Sequence, residues 1–238
     1  MGSRQLAASR FVISFLRLSV FVSLVSGFAC LNVSGQEKTV PPKSGEPPAT
    51  PKKSNARPSE TQAGAAEPFD GATVEKMSGQ CVRLETEAGV IELEMLAESA
   101  PETVRNFLNL VATKAYDTTS FSRVVKDFVI QGGNLGTSQM LTPALAQRSR
   151  RTIADEPNPI KHERGIVSMA RPETPNGATT NFFILVGDAP HLDGKFAAFA
   201  RVTRGIEIVD ALNKAPVEGE KPEKPVRITR ATVMPCAK

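Results

Sequence analysis

The residues of this chain whose types and spacing could support chemistry lie between Phe121 and Gly133, in a stretch that reads Phe-Ser-Arg-Val-Val-Lys-Asp-Phe-Val-Ile-Gln-Gly-Gly. Six apolar residues surround one arginine, Arg123, and one glutamine, Gln131. The pattern predicts two strands joined by a turn, with Phe121 and Arg123 on the same face, because side chains two apart in a strand point the same way. Arginine is permanently charged and carries a rigid planar set of N–H donors. We therefore expect a fixed cation over an apolar surface.

Other kinds of catalytic site have little support in the sequence. The two histidines, His162 and His191, are too few and too far from any cysteine or acidic cluster to indicate a metal site. No Ser/His/Asp arrangement can be read from the order of residues, and the sequence contains no phosphate-binding loop. Metal-dependent, hydrolytic and nucleotide-dependent functions are therefore disfavoured, and no cofactor is expected.

Three further segments complete a pattern that extends over much of the chain. Residues 165–170, 181–184 and 192–195 follow 121–133 in order and at compatible spacing, and together these four blocks resemble the signature blocks of the cyclophilin-type peptidyl-prolyl cis/trans isomerases. The resemblance covers roughly residues 81–233. It implies a mainly β fold, a closed eight-stranded antiparallel β-barrel capped by two α-helices, and an activity on X-Pro bonds of unfolded or flexible polypeptides.

The chemistry that this resemblance implies needs no nucleophile, metal or proton donor. An X-Pro bond isomerises over a barrier of about 18 to 20 kcal/mol because its carbon–nitrogen bond is partly double. When the amide twists, its nitrogen regains a lone pair, so a fixed donor beside that nitrogen stabilises the transition state selectively. By resemblance, Arg123 is this catalytic donor and Gln131 holds the substrate backbone and orients the arginine.

The resemblance also implies a set of substrate-binding residues. They form a pocket for the proline ring and the flanking groove: Phe128, Val129, Ala170, Arg171, Asn181, Phe183, His191, Leu192 and Phe196. Three of them depart from the family pattern, which has glutamine at 181, histidine in many members at 196, and tryptophan at 191 in the best-studied eukaryotic members. Because that tryptophan contributes to cyclosporin binding, weak cyclosporin sensitivity is predicted. Activity should survive, since the arginine and the apolar pocket remain.

The elements that must position these residues follow from periodicity and capping signals. Ser99 with Glu102 forms a capping-box signature, and apolar residues then recur at helical spacing, which predicts a helix over about Pro101–Thr113. Four further elements are expected: a half-buried hairpin over 82–96, a surface loop over 136–153, a second helix over 205–213 and a closing strand over 226–233.

The region before the domain has a different composition. Residues 1–35 carry three arginines, no acidic residue and an apolar run over 18–29, which is typical of a secretory signal peptide. An uncleaved membrane anchor and a lipoprotein with Cys30 lipidated are alternatives. Residues 36–72 hold seven prolines and predict a disordered linker, which leaves 73–238 as the isomerase domain. Most of the formal charge of +4 lies in the leader, so no nucleic-acid partner is predicted.

Cys81 and Cys236 are the two cysteines that remain after leader cleavage. In the family fold the first and last strands are neighbours, so a disulfide can form in an exported protein, and two unpaired cysteines are the alternative. The leading hypothesis is a monomeric, exported isomerase that assists folding in the periplasm or cell envelope. The alternative is a tethered cyclophilin-like module that binds proline with little catalysis, and a purely structural envelope protein is a third.

Overall fold

The computed structural model describes residues 66–236. The predicted signal peptide and most of the predicted linker lie outside the described residues. Residues 66–72, assigned above to the linker, pack on the folded domain. Phe69 is buried, and its N–H donates to Asn109 Oδ1 at 2.7 Å. The folded domain therefore includes residues before the predicted boundary at 73, because Phe69 fills a place in the core. None of the helices described in 66–236 is long and apolar enough to cross a membrane.

The domain is mainly β. The strands within 66–236 are β1 Gln80–Thr86, β2 Gly89–Met95, β3 Arg123–Val125, β4 Val129–Gly132, β5 Ile166–Met169, β6 Phe182–Leu185, β7 Ala198–Arg204, β8 Val217–Glu218, β9 Lys221–Pro222 and β10 Ile228–Pro235. Eight of them form one antiparallel sheet in the order β10-β1-β2-β7-β5-β6-β4-β3, and β8 and β9 pair as a separate hairpin. The predicted mainly β fold with an eight-stranded antiparallel sheet is confirmed, although the ladder from β10 to β3 does not close into a complete barrel.

The sheet curls until its edges β3 and β10 approach each other. Ser120, just before β3, forms an isolated antiparallel bridge with Arg227, just before β10. The N–H of Phe121 also donates to the carbonyl oxygen of Val226 at 3.0 Å. Such bonds satisfy backbone groups that an open edge would leave unpaired. The two edges thus meet through the segment that precedes β3, without a continuous ladder between the two strands.

Helices pack on the curled sheet. They are α1 Val74–Ser78, α2 Pro101–Ala112, α3 Pro143–Arg148 and α4 Ile206–Lys214, with 3-10 turns at Leu135–Thr137 and Pro190–Leu192. Helix α2 packs against β7 and β10, and α4 packs against β2 and β4. These two helices match the predicted ones within a residue or two, whereas α1 and α3 were not predicted.

The start of α2 is stabilised in a way that the sequence did not indicate. Its N-cap is Ala100, which makes no side-chain cap hydrogen bond, so the predicted capping box is wrong. The carboxylate of Glu156 takes that place and accepts the N–H groups of Glu102 at 3.0 Å and Thr103 at 2.7 Å. A negative charge is favourable there because the first N–H groups of a helix are unpaired and carry the positive end of its dipole.

The segment 136–153 is not the plain surface loop that was predicted, because it contains α3. Thr142 caps this helix by accepting the N–H of Leu145 at 3.2 Å, and Pro143 occupies the first turn. Arg148 at its end forms an ion pair with Glu67 at 2.6 Å and donates to Asn106 Oδ1 at 2.8 Å. The segment is thereby fastened to α2 and to residues 66–72.

The interior core lies between α2 and the inner face of the sheet. Phe107 of α2 meets three aromatic rings there, those of Tyr116, Phe182 and Phe199, at centroid distances of 5.3, 5.4 and 4.9 Å. The buried Tyr116 hydroxyl donates to the carbonyl oxygen of Thr180 at 2.8 Å. Burial raises the pKa of Tyr116, because the charged phenolate is disfavoured away from water.

Cys81 and Cys236 form a disulfide with a Cα–Cα distance of 4.9 Å. Cys81 lies near the start of β1, and Cys236 directly follows β10, whose Met234 pairs with Cys81 in the ladder. The antiparallel pairing of the first and last sheet strands brings the two cysteines together. The disulfide thereby joins the start of the first sheet strand to the end of the last one.

Candidate active site

The candidate catalytic residues lie in a row across three neighbouring strands. Arg123 of β3 pairs with Gln131 of β4, and Gln131 pairs in turn with Phe183 of β6. Paired residues on adjacent strands project from the same face, so these three side chains share the outer face of the sheet. Two strand spacings separate the backbones of Arg123 and Phe183, or about 10 Å. An arginine, an amide and an aromatic ring are thus brought within reach of one small ligand.

Phe121 does not share a face with Arg123, so that prediction is wrong. Its ring belongs to the interior core, 6.3 Å from the ring of Phe182. The regular strand β3 begins only at Arg123, and the N–H of Ser122 donates to the carbonyl oxygen of Gln131 at 3.0 Å. The rule that residues two apart point the same way fails because residue 121 precedes the strand. The apolar surface beside Arg123 is supplied by other residues.

Two side chains bind the guanidinium of Arg123. Its Nη1 donates to Gln131 Oε1 at 3.2 Å. Its Nε and Nη2 donate to the two carboxylate oxygens of Glu220, at 2.6 and 3.2 Å. The hydrogen bonds and the positive charge of Arg123 lower the pKa of Glu220 below its usual range. The pairing with Gln131 was predicted, but Glu220 was missed because 97 residues separate it from Arg123 and no local pattern connects the two.

An outer apolar cluster lies beside this row, separate from the interior core. We use this name for ten residues: Val125, Phe128, Val129, Ile166, Ala170, Phe183, Leu185, Ala189, Leu192 and Phe196. Strand alternation explains the separation, because Phe183 and Leu185 face outward while Phe182 and Ile184 face the interior core. Six of the predicted substrate-binding residues belong to the outer apolar cluster, namely Phe128, Val129, Ala170, Phe183, Leu192 and Phe196.

Aromatic rings define the rim of the outer apolar cluster. Phe183 and Phe196 meet edge to face, with centroids 5.9 Å apart and planes at 80°. Phe128 lies 5.5 Å from the ring of His191, which is carried by the 3-10 turn Pro190–Leu192. The histidine that replaces the family tryptophan therefore still contributes a ring to this rim. Only 7% of the Phe183 residue is exposed, so its ring forms the floor of the cluster, whereas the more exposed Phe128, His191 and Phe196 form its rim.

The remaining predicted residues lie along the other side of the cluster. The carbon atom Cζ of Arg171 lies 5.2 Å from the centroid of the Phe196 ring, a cation–π contact that fixes the arginine at the rim. Its Nε also lies 3.6 Å from Asp155 Oδ1. Asn181 joins this side through its backbone, whose carbonyl oxygen accepts the N–H of Ala170 at 2.9 Å.

A hydrogen-bonded chain of Ser168 and His162, both buried, and the partly exposed Asp193 lies next to the cluster, with the His162 ring 6.5 Å from that of Phe196. Ser168 Oγ is 3.0 Å from His162 Nε2, and His162 Nδ1 is 3.3 Å from Asp193 Oδ1. This arrangement could not be read from the order of residues, because the three residues come from separate loops and strands. Ser168 is fully buried, so it cannot reach a substrate as a nucleophile. The chain instead fixes the segment that carries Leu192 and Phe196.

The charges of this chain follow from its burial and hydrogen bonds. Burial lowers the pKa of His162, because a charged imidazolium is disfavoured away from water, and Asp193 only partly opposes this effect. The N–H of His162 and the ammonium of Lys161 donate to Asp193, and these bonds lower the pKa of its carboxyl group. A neutral histidine beside an ionised aspartate therefore prevails at pH 7. Within residues 66–236, no three His, Cys, Asp or Glu residues are grouped so that they could hold a metal ion.

A family model described as cyclophilin type peptidyl-prolyl cis-trans isomerase/CLD matches residues 81–233, more than half of the chain. The chain belongs to this family. Among similar cyclophilin-type relatives, the isomerase cypE of Dictyostelium discoideum is 37% identical over 66% of this chain and 99% of its own length. The isomerase cyp18 of Streptomyces antibioticus is 36% identical over 64% of this chain and 98% of its own length. Peptidyl-prolyl cis-trans isomerisation is therefore the activity of this cyclophilin-type chain.

Solved structures agree with the family assignment. A cyclophilin-type isomerase of Cryptosporidium parvum superposes with a TM-score of 0.59 and 29% identity, over 66% of this chain and 99% of that protein. A second crystal structure of the same protein, determined in the presence of the dipeptide Ala-Pro, gives a TM-score of 0.57 and 30% identity over 65% of this chain and 98% of that protein. The described domain thus shares the cyclophilin fold of these structures.

Proposed function

We propose that Arg123 is the catalytic residue and that the outer apolar cluster binds the proline ring of the substrate. The observation that carries this proposal is the row of Arg123, Gln131 and Phe183 across β3, β4 and β6. A proline ring seated against Phe183 places its amide beside the guanidinium. The Nη1 donor then stabilises the lone pair that forms on the amide nitrogen as the bond twists.

The neighbouring groups have separate tasks in this mechanism. Gln131 keeps the Nη1 edge of Arg123 directed along the row and offers its amide N–H groups to the substrate backbone. The rings of Phe128, Phe183 and Phe196 exclude water from the proline, which strengthens every electrostatic interaction at the amide. The Ala-Pro dipeptide used with the Cryptosporidium parvum relative supports X-Pro segments as substrate.

Substitution of Arg123 tests the catalytic role. In a protease-coupled assay on an Ala-Pro-Phe peptide, Arg123→Ala should lower kcat/KM about a hundredfold, the loss that typically follows removal of one transition-state donor. Arg230→Ala is the matched control, because Arg230 is an exposed arginine on β10 at the other edge of the sheet, and it should retain full activity. Equal rates for wild type and Arg123→Ala would rule out catalysis by this residue.

A binding module with little catalysis is the second candidate. The residues that depart from the family pattern, Asn181, His191 and Phe196, favour it, because two of them change the rings around the proposed proline site, where His191 meets Phe128 and Phe196 meets Phe183. Binding of a proline peptide by the wild type without measurable turnover would support this candidate.

We also propose that the isomerase works outside the cytoplasmic membrane, in the periplasm or cell envelope, as a monomer. The arginine-led apolar leader supports export, and so does the Cys81–Cys236 disulfide, since such bonds persist in oxidising compartments. N-terminal sequencing of the mature protein from fractionated cells tests the proposal. A mature chain that begins near residue 36 in the periplasmic fraction is expected, and a full-length chain in the cytosolic fraction would contradict export.

A further inference from the structure

A short hairpin of β8 and β9 lies next to the candidate active site. It consists of two residue pairs, Val217 with Pro222 and Glu218 with Lys221, joined by Gly219 and Glu220. Gly219 has a φ of 62°, a left-handed conformation that glycine adopts without strain. The hairpin lies outside the eight-stranded sheet. Its tip reaches the one strand that carries Arg123.

Glu220 is attached to β3 twice. Its carbonyl oxygen accepts the N–H of Val124, the residue after Arg123, at 2.8 Å. Its carboxylate accepts the Nε and Nη2 donors of Arg123 at 2.6 and 3.2 Å. The backbone hydrogen bond fixes the main chain of Glu220 beside β3. The carboxylate is therefore held near the guanidinium even before the ion pair forms.

The carboxylate approaches the guanidinium from the side that faces away from Gln131. It occupies the Nε–Nη2 edge with two hydrogen bonds, which is the geometry in which a planar guanidinium is held most firmly. The Nη1 end is thereby directed to Gln131 Oε1 at 3.2 Å and, beyond it, toward Phe183 in the same row. Nη1 carries two N–H groups. One of them donates to Gln131, and the other is available to a substrate.

Exposure limits what else this ion pair can contribute. The side chains of Arg123 and Glu220 are 42% and 55% exposed, and ion pairs between such exposed groups contribute little to folding stability. Orientation of the guanidinium before the substrate arrives is a contribution that does not require burial, because it removes rotamer freedom that binding would otherwise have to remove.

We propose that Glu220 is a positioning residue for the isomerase reaction, which holds the Nε–Nη2 edge of Arg123 so that Nη1 faces the twisting amide. The inference rests on the proposed catalytic role of Arg123. Glu220 touches no substrate in this mechanism and acts only through the arginine.

Three variants in the peptide isomerisation assay test the inference. Glu220→Ala should lower kcat/KM by about threefold to tenfold, mainly through kcat. The variant should still bind the substrate, but Nη1 of Arg123 would be directed toward the amide for a smaller fraction of the time. Glu220→Gln should fall between Glu220→Ala and wild type, since its amide oxygen can still accept from one guanidinium nitrogen. Glu218→Gln is the matched control, an exposed glutamate two residues away in the same hairpin, and it should equal wild type.

A double-mutant cycle separates positioning from a general effect on the hairpin. Lysine cannot present a planar edge to a carboxylate, so in an Arg123→Lys background Glu220→Ala should change kcat/KM less than about twofold. Thermal unfolding should be the same in all Glu220 variants. Activity of Glu220→Ala at or above that of wild type would overturn the inference, and so would an equal loss in the Arg123→Lys background. A wild type without isomerase activity would instead contradict the proposed function.

Discussion

Neighbouring residues on β4 belong to two different environments. Ile130 points into the interior core and is fully buried among apolar side chains. Gln131, the next residue, points outward into the row with Arg123 and Phe183. The same alternation on β6 separates Ile184 from Phe183. One set of strands therefore carries the interior core on its inner face and the proposed catalytic row on its outer face.

The two faces place different demands on the sequence. The inner face requires apolar side chains of suitable volume, since burial and close packing are what stabilise a core. The outer face combines apolar rings with an arginine whose orientation depends on Gln131 and Glu220. Substitutions on the inner face should therefore lower the free energy of unfolding, and those on the outer face should lower the rate.

The largest expected effect lies at the disulfide that joins β1 to the end of β10, outside the row. The Cys81–Cys236 bond closes a loop with a sequence separation of 155, for which the chain-entropy model gives about 5 kcal/mol of unfolding free energy. Cys81→Ala with Cys236→Ala should lower the denaturation midpoint accordingly, and reduction of the wild-type bond should have the same effect. The value of kcat/KM for the folded protein should not change, because the site lies on β3, β4 and β6. A loss of kcat/KM in the folded double variant would show that the disulfide and the proposed active site are coupled.

The pair Ile130 and Gln131 tests the separation of the two faces directly. Ile130→Ala should cost about 3 kcal/mol of unfolding free energy, as truncations of buried isoleucine do, with kcat/KM of the folded fraction retained. Gln131→Ala should leave the unfolding free energy nearly unchanged and lower kcat/KM about tenfold, since one hydrogen bond to a charged group is lost. Denaturant unfolding and the peptide assay on the same preparations measure both quantities. Similar changes in both quantities for both variants would contradict the separation.

This difference between the faces also explains which features the sequence predicted. Alternation and helical spacing were enough for β1, β2, β3, β4, β10, α2 and α4, because each of these elements buries its own apolar face. The strands β5, β6 and β7 were implied only by the resemblance to an eight-stranded family fold. Six residues of the outer apolar cluster were identified, and only through resemblance to a family, since an outward-facing Phe183 looks the same in sequence as an inward-facing Phe182. Their separation into two clusters depends on the register of the folded sheet.

The features that the sequence missed are polar contacts between distant segments. Glu156 caps α2 from 54 residues away, Glu220 holds Arg123 across 97, and Asp193 meets His162 across 31. In each case the contact is made by a side chain that is distant in the sequence, and not by a neighbouring residue that a local pattern could identify. No periodicity encodes such a contact, because it depends on how the chain returns to the same place after folding.

The smallest expected effect concerns pH and the buried His162. Burial lowers the pKa of His162 below its ordinary value of 6.5, so between these two values the unfolded chain binds a proton that the folded chain does not. Stability should therefore be full above about pH 6.5 and decline as the pH falls toward the lower, folded-state pKa.

Thermal unfolding of the wild type at pH 7.5 and pH 5.5 measures this decline. His162→Gln, which cannot titrate, should be less stable at pH 7.5 but lose much less on acidification, whereas equal losses in both proteins would assign the decline to other groups. Because the chain through His162 fixes the segment of Leu192 and Phe196, the acidified wild type should also show a higher KM before it unfolds.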